Sequence, residues 1–378
     1  MSAPVVPPAG PLNGVTVVDL TRVLAGPFCT LVLADLGARV IKVERPGVGD
    51  DARHIGPFLP NGLSGYFASL NRGKESISID LEDRADRQRF DDFLASADVL
   101  VENFKPGAMD RLGYSWEVIH ARHPRLVYAG LSGFGRTGPL ARQPAYDMVA
   151  QAMGGVMSIT GPPGGPPTRV GSSIGDIAAG LYAAVGVISA LHHRDESGEG
   201  MLVDVAMLDC QVALLENAIA RFEISGQVPT PIGSRHPSIT PFGAFEARDD
   251  LLVIAAGNNA LFAKLSEAVG RPDLPSNSMF SDNASRTEHE TELRAELERS
   301  LRTRDVAHWL GILQEAGIPC SPIHDVADVL AHPQVLARNM VVTIDGDDAE
   351  GLRVAGNPVK LSAFPDPMTR GPVPRLER

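Results

Sequence analysis

The sequence predicts an α/β protein, with a large domain on a mostly parallel sheet and a smaller α+β domain. Three observations lead there. Short β-branched runs alternate with helical stretches through the first half of the 378 residues, the links between them are short, and past His192 the texture changes to a hairpin followed by consecutive helices. Alternation with short links makes right-handed crossovers and a parallel sheet. In such sheets ligands sit beyond the carboxyl ends of the strands.

In chain order, residues 15–20 (VTVVDL) are a strand, 26–37 (GPFCTLVLADLG) a helix, and 38–46 (ARVIKVERP) a strand that stops at its proline. The pattern repeats with strand 75–81 (ESISIDL), helix 83–97, strand 98–104 (DVLVENF), helix 115–124 and strand 125–134 (RLVYAGLSGF). The apolar run 177–191 opens at Gly175-Asp176 and reads as a core helix, being shorter than the roughly 20 residues of a membrane span. Residues 201–222 read as a strand and one long helix, 223–241 as a polar link, and 242–257 as a hairpin turning at Asp249-Asp250. Helices follow over 259–270, 288–301 and 305–317. Strands 340–345 and 352–362 are expected to rejoin the first sheet. The expected domains are 1–205, completed by 325–378, a linking helix and loop at 206–230, and a small α+β domain at 231–324.

Composition narrows the function. Lys plus Arg number 34 against 46 Asp plus Glu, a net charge of −12, which disfavours nucleic acid as a partner. Any anionic ligand must then meet a local basic cluster. Three distant cysteines, Cys29, Cys210 and Cys320, form no zinc or disulfide pattern and point to a reducing compartment; no metal is expected. The N-terminus carries neither a basic residue nor an apolar run, so no secretory signal is read and a cytoplasmic protein is expected.

Two nucleophiles compete at 169–186 (RVGSSIGDIAAGLYAAVG). Ser173 sits in a G-x-S-x-G match, but the nucleophile elbow needs a strand just before the serine, and a proline-rich turn stands there instead. Asp176 suits an N-cap, which satisfies free helix N–H groups, and it suits equally a reactive carboxylate at a helix N-terminus. Residue chemistry alone leaves these even. Residues 133–138 (GFGRTG) match G-x-G-x-x-G after a strand, yet Pro139 follows where a helix should start, so a glycine-rich turn is the better account. Lys42, Arg45, Arg72, Lys74, Lys105 and Arg111 fall near strand ends, where together they would make a phosphate-binding rim.

Segments 12–53, 66–81, 97–117 (ADVLVENFKPGAMDRLGYSWE), 130–139, 146–155 (YDMVAQAMGG), 175–200 and 317–323 (GIPCSPI) occur in an order that resembles the family III CoA-transferases, also called the formyl-CoA and carnitine CoA-transferase family. The resemblance spans almost the whole chain. It implies cytosolic enzymes with a Rossmann-like large domain formed by both chain ends, a small domain between, and two interlocked subunits. It implies coenzyme A and acyl-CoA as substrates, no permanently bound cofactor, and Asp176 as the catalytic residue in place of Ser173.

The resemblance also assigns CoA contacts to Leu24, Ala25, Arg45, Asn103, Phe104, Lys105, Arg111, Tyr146 and Asp147, beside the rim residues Arg72 and Lys74. Family members often carry His and Gln where this chain has Arg22 and Leu24, so substrate identity does not transfer from the formyl or oxalate members. An isomerase branch, the α-methylacyl-CoA racemases, has a histidine where this chain has Tyr146, and without it one of two opposed acid/bases is missing. Racemase chemistry is the alternative, transfer the expectation. A carboxylate with an ordinary pKa near ~4 is expected to attack the donor thioester unaided. Backbone N–H groups at 175–177 are expected to hold the oxyanion. The acceptor is expected to be a dicarboxylate such as succinate or glutarate, its second carboxylate held by Arg235 or His236.

Overall fold

The computed structural model describes residues 7–377. The described residues divide into two compact units, the first formed by 7–158, 168–229 and 332–377, the second by 159–167 and 230–331.

The first unit is built on six parallel strands, β1 (Thr16–Asp19), β2 (Arg39–Glu44), β3 (Glu75–Ser78), β4 (Val99–Glu102), β5 (Val127–Ser132) and β6 (Leu202–Ala206). They lie in the order β3-β2-β1-β4-β5-β6, the doubly wound arrangement in which strand order reverses beside β1. Val17 stands opposite Val40 and Val99, so the central strands meet apolar neighbours on both sides. Both faces are covered, which is why these strands read as near-continuous apolar runs. Side chains alternate between faces. Val17, Val99 and Val101 pack with Cys29 and Leu33 of helix α1 (Ala25–Asp35). On the other face, Val18 and Leu100 pack with Phe90 and Leu94 of α3 (Arg84–Ser96) and Ile119 of α5 (Trp116–Arg122). Helix α2 (Gly65–Asn71) precedes β3, and the single turn α4 (Ala108–Arg111) follows β4.

Beyond β5 come α6 (Asp147–Met153), the single turn α7 (Val156–Ile159) and the 24-residue α8 (Ile174–Ser197). Helix α8 lies against α1 at very short range, because a Cβ at Gly180 would stand 2.7 Å from the Ala25 carbonyl oxygen. It is long and apolar enough to cross a membrane, and half of its most apolar stretch is buried within the unit.

Two expectations are corrected in this unit. The single helix expected after β6 is two, α9 (Met207–Ala213) and α10 (Ala218–Ser225), broken where Glu216 takes a left-handed φ of 51° and Leu215 lies against Gly155. The C-terminal strands do not rejoin the main sheet. β10 (Val341–Ile344) pairs antiparallel with β11 (Arg353–Ala355) and parallel with β12 (Thr369–Arg370) in a sheet of their own. The outer edge of β3 is instead met by Glu377, whose carboxylate and carbonyl accept from the Ser78 backbone N–H and hydroxyl.

In the second unit β7 (Phe242–Glu246), β8 (Leu251–Ala255) and β9 (Cys320–Pro322) form an antiparallel sheet, the first two joined by the expected hairpin. Helices α11 (Asn259–Ala268), α12 (Asn283–Glu288), α13 (Glu290–Leu301) and α14 (Val306–Glu315) accompany it. The core gathers Leu252 and Ile254 of β8 with Phe262, Leu297 and Leu313. Arg286 is wholly buried there; its guanidinium donates to the carbonyls of Thr240, Phe280 and Gly257 and lies over the Phe262 ring.

Candidate active site

A cavity of about 300 Å³ opens in the first unit at the carboxyl ends of β1, β4 and β5, where a parallel sheet with this strand order is expected to bind ligand. Its walls are the segments 22–25, 103–106, 131–133 and 143–146, closed by Asp51, Asp176 and Met207. It therefore brings together Leu24, Ala25, Asn103, Phe104, Lys105, Tyr146 and Asp176 from four distant stretches of sequence.

The wall after β1 is tightly tied. Thr21 donates its N–H to Asp19 (2.8 Å), and its carbonyl accepts from Lys42 Nζ (2.7 Å). Asn103 holds both the N–H and the carbonyl of Arg22, each at 2.8 Å. Val23 donates to Asp50 Oδ1 at 3.0 Å while its φ is 67°. A β-branched residue in the left-handed region is a conformational outlier. The Arg22 guanidinium sits 5.2 Å over Phe104 and 3.3 Å from Asp51, which Arg45 also approaches to 3.3 Å.

Asp176 is the third residue of α8, so of its two readings the N-cap one gives way. Ser173 occupies the cap position, without a side-chain bond. The ordinary pKa is also overturned. Burial pushes the Asp176 carboxyl up to about 7, and the negative charge of Asp147 adds to the rise. Helix N-termini favour carboxylates, but here desolvation wins. Asp147, 8% exposed, does not line the cavity; its Oδ1 accepts from the Gly175 N–H at 2.8 Å and its Oδ2 from Gln151 Nε2 at 2.8 Å. Gln151 in turn accepts from the Val170 N–H. The Gly175 N–H is thus taken by Asp147 and that of Ile177 by the Ser173 carbonyl, which removes both from the expected oxyanion group.

The expected basic rim is smaller than supposed. Arg72, 2% exposed, forms a two-pronged pair with Asp35 at 2.6 and 2.9 Å. Lys74 and Lys42 are fully buried, the first on Asp19, Thr30 and Asn71, the second on Asp50 at 2.8 Å. Burial draws the Lys74 ammonium down to about 8 despite Asp19 beside it. These three cations neutralise buried carboxylates and turn inward, because an unpaired buried charge is costly. Arg45 and Arg111 stay exposed outside the cavity wall. Arg235 and His236 lie in the second unit before β7, His236 stacked on Phe242 at 5.5 Å. The cations that line the cavity are Arg22 and Lys105.

Ser173 has no strand before it and does not line the cavity, and no histidine does so among the described residues, which leaves the esterase motif without its context. The GFGRTG stretch is a loop between β5 and α6, with Gly135 and Gly138 at positive φ and Gly133 pressed on Ala145.

Residues 12–378 match the sequence profile of CoA-transferase family III. The chain belongs to that family. An acetyl-CoA:oxalate CoA-transferase of Acetobacter aceti is 46% identical over 98% of this chain and 94% of its own. A succinyl-CoA:mesaconate CoA-transferase of Haloarcula hispanica is 42% identical (96% and 93%), and the human succinyl-CoA:glutarate CoA-transferase 38% (94% and 81%). A CAIB/BAIF family protein from Brucella suis, at 37% identity, superposes with a TM-score of 0.85 over 97% of this chain and 96% of its own. The chain is a CoA-transferase enzyme that uses acyl-CoA and carboxylic acid substrates, and the racemase alternative is not favoured.

Sequence reasoning missed Val23, Asp50 and the Asp147–Gln151 pair. The signal available for Asp50 was Lys42 and Glu44 set among Val40, Ile41 and Val43 in the strand RVIKVE, since charges in a buried strand need buried partners. Nothing in local pattern marks the conformation of Val23.

Proposed function

We propose that the CoA transfer runs through Asp176 as covalent nucleophile. The observation that carries this is the contrast between the two carboxylates on the cavity wall. Asp51 is engaged by Arg22 and Arg45, whereas Asp176, among the described residues, faces the cavity with no cation paired to it. Its ionised oxygen attacks the acyl carbon of the donor thioester and the C–S bond breaks, giving a mixed anhydride and CoA thiolate. The thiolate attacks the aspartyl carbonyl, releasing the donor acid and leaving an aspartyl–CoA thioester. The acceptor carboxylate displaces thiolate from that thioester to make a second anhydride. Thiolate then attacks the acceptor acyl carbon, and the Asp176 carboxylate returns. No net proton is consumed.

We propose a dicarboxylic acid as acceptor and an acyl-CoA such as succinyl-CoA as donor, supported by the named relatives and by Arg22 and Lys105 on the cavity wall. Arg235 and His236 remain proposed, on the family resemblance, as ligands of the second carboxylate. We also propose a cytosolic, interlocked homodimer with a Rossmann-like CoA-binding unit, again on the family resemblance.

The test is Asp176→Ala, Asp176→Asn and Asp176→Ser. All three remove the covalent route, so transfer falls by several orders of magnitude in folded protein. Wild type incubated with donor acyl-CoA and then hydroxylamine or borohydride is modified at Asp176. Full activity in folded Asp176→Ala, or modification at Ser173, overturns the assignment.

A further inference from the structure

Val23 is the one non-glycine residue on the cavity wall with a positive φ. For a β-branched side chain that conformation costs energy, and it persists only where the surroundings over-determine it. Here they do. Five backbone polar groups of three successive residues are taken by side chains, four of them from distant segments: the Thr21 N–H by the nearby Asp19, the Thr21 carbonyl by Lys42, the Arg22 N–H and carbonyl by Asn103, and the Val23 N–H by Asp50. Three of the four holders are wholly or almost wholly buried. Asp50 is itself anchored by Lys42 at 2.8 Å and by the Ala52 N–H at 2.9 Å, so it cannot follow the loop if the loop relaxes. Asn103 spends its amide oxygen and nitrogen on the Arg22 backbone.

We propose that Asn103 and Asp50 are positioning residues that hold Val23 in its left-handed conformation, and so set the cavity wall from Arg22 to Ala25 against which acyl-CoA binds. Asn103 acts through the loop, not as a direct grip on CoA. This rests on the cavity being the acyl-CoA site.

The two roles separate in a rescue experiment. Glycine enters the left-handed region without the Cβ penalty, so a loop with glycine at position 23 needs less holding. Asn103→Ala, Val23→Gly and the double variant are compared with wild type in two readouts, the Kd for free CoA by titration calorimetry and kcat/KM for acyl-CoA in transfer. Asn103→Ala is expected to weaken CoA binding by about tenfold or more, the loss of two hydrogen bonds to one backbone unit. The double variant is expected to recover most of that loss. A double variant no better than Asn103→Ala overturns the proposal, as does an Asn103→Ala protein that binds CoA like wild type. If wild type binds CoA but transfers it to no acid, the proposed chemistry fails while the calorimetric cycle still decides the role of Asn103.

Discussion

At the scale of the residue, Asp176 is a compromise between reactivity and stability. Its carboxyl is raised to about 7 by burial and by Asp147, so near neutral pH only part of the protein carries the nucleophilic anion. We expect kcat/KM for the donor to rise with pH through an acid limb near 7. Asp147→Asn removes the neighbouring charge but leaves burial, so the limb moves toward the ordinary carboxylate range without reaching it. A limb unmoved in folded Asp147→Asn counts against the coupling. The same shift has a stability sign. A carboxyl whose folded pKa exceeds its unfolded value near ~4 binds its proton more tightly when folded. Its contribution is full at low pH and is lost as pH rises through about 7. Asp176→Asn is therefore expected to gain thermal stability over wild type at pH 8 and to gain least at pH 4, measured as Tm by calorimetry.

At the scale of the element, α8 and α1 meet over small residues. Gly180 gives that contact its closeness, and the first residue of α1, Ala25, stands on the cavity wall. Gly180→Leu places atoms where the Ala25 carbonyl already is, so the helices must separate. The expected cost is about 2–3 kcal/mol, with weaker CoA binding as the wall shifts. Gly311, in the middle of α14 with open space around a Cβ, is the contrast. Gly311→Ala is expected to stabilise by about 0.5–1 kcal/mol, since the helix loses only an entropic handicap. Urea denaturation of both variants checks the pair, and equal effects would mean that the helix contact does not set the difference.

At the scale of the whole molecule, the first unit carries more exposed apolar surface than single scattered residues would make. Leu181, Tyr182, Val185 and Ile188 form a stripe along α8, with Val185 61% exposed, and α6 adds Met148, Val149 and Met153. Contiguous patches of this kind mark protein interfaces. Sedimentation at micromolar concentration is expected to give about twice the 40.1 kDa chain mass, and Val185→Glu with Leu181→Glu to lower it. A wild-type monomer there overturns the dimer.

The sequence by itself determined the strands and most of the helices, because burial on both faces of a parallel sheet demands apolar runs such as VTVVDL and VLVE, and helical periodicity marks their covers. It also placed Asp176 at the opening of α8 and several cavity residues at strand ends. Tertiary structure alone decided which charges line the cavity. Lys42, Arg72 and Lys74 look the same in sequence as Lys105, yet buried carboxylates from distant segments draw them inward. It likewise decided the raised Asp176 carboxyl, since Asp147 lies 29 positions before it in the chain and reaches its helix only through the fold. The left-handed Val23 belongs to the same class. No local preference favours it, and it exists because Asn103 and Asp50, brought in by β4 and the loop after β2, hold the Arg22 N–H and carbonyl and the Val23 N–H.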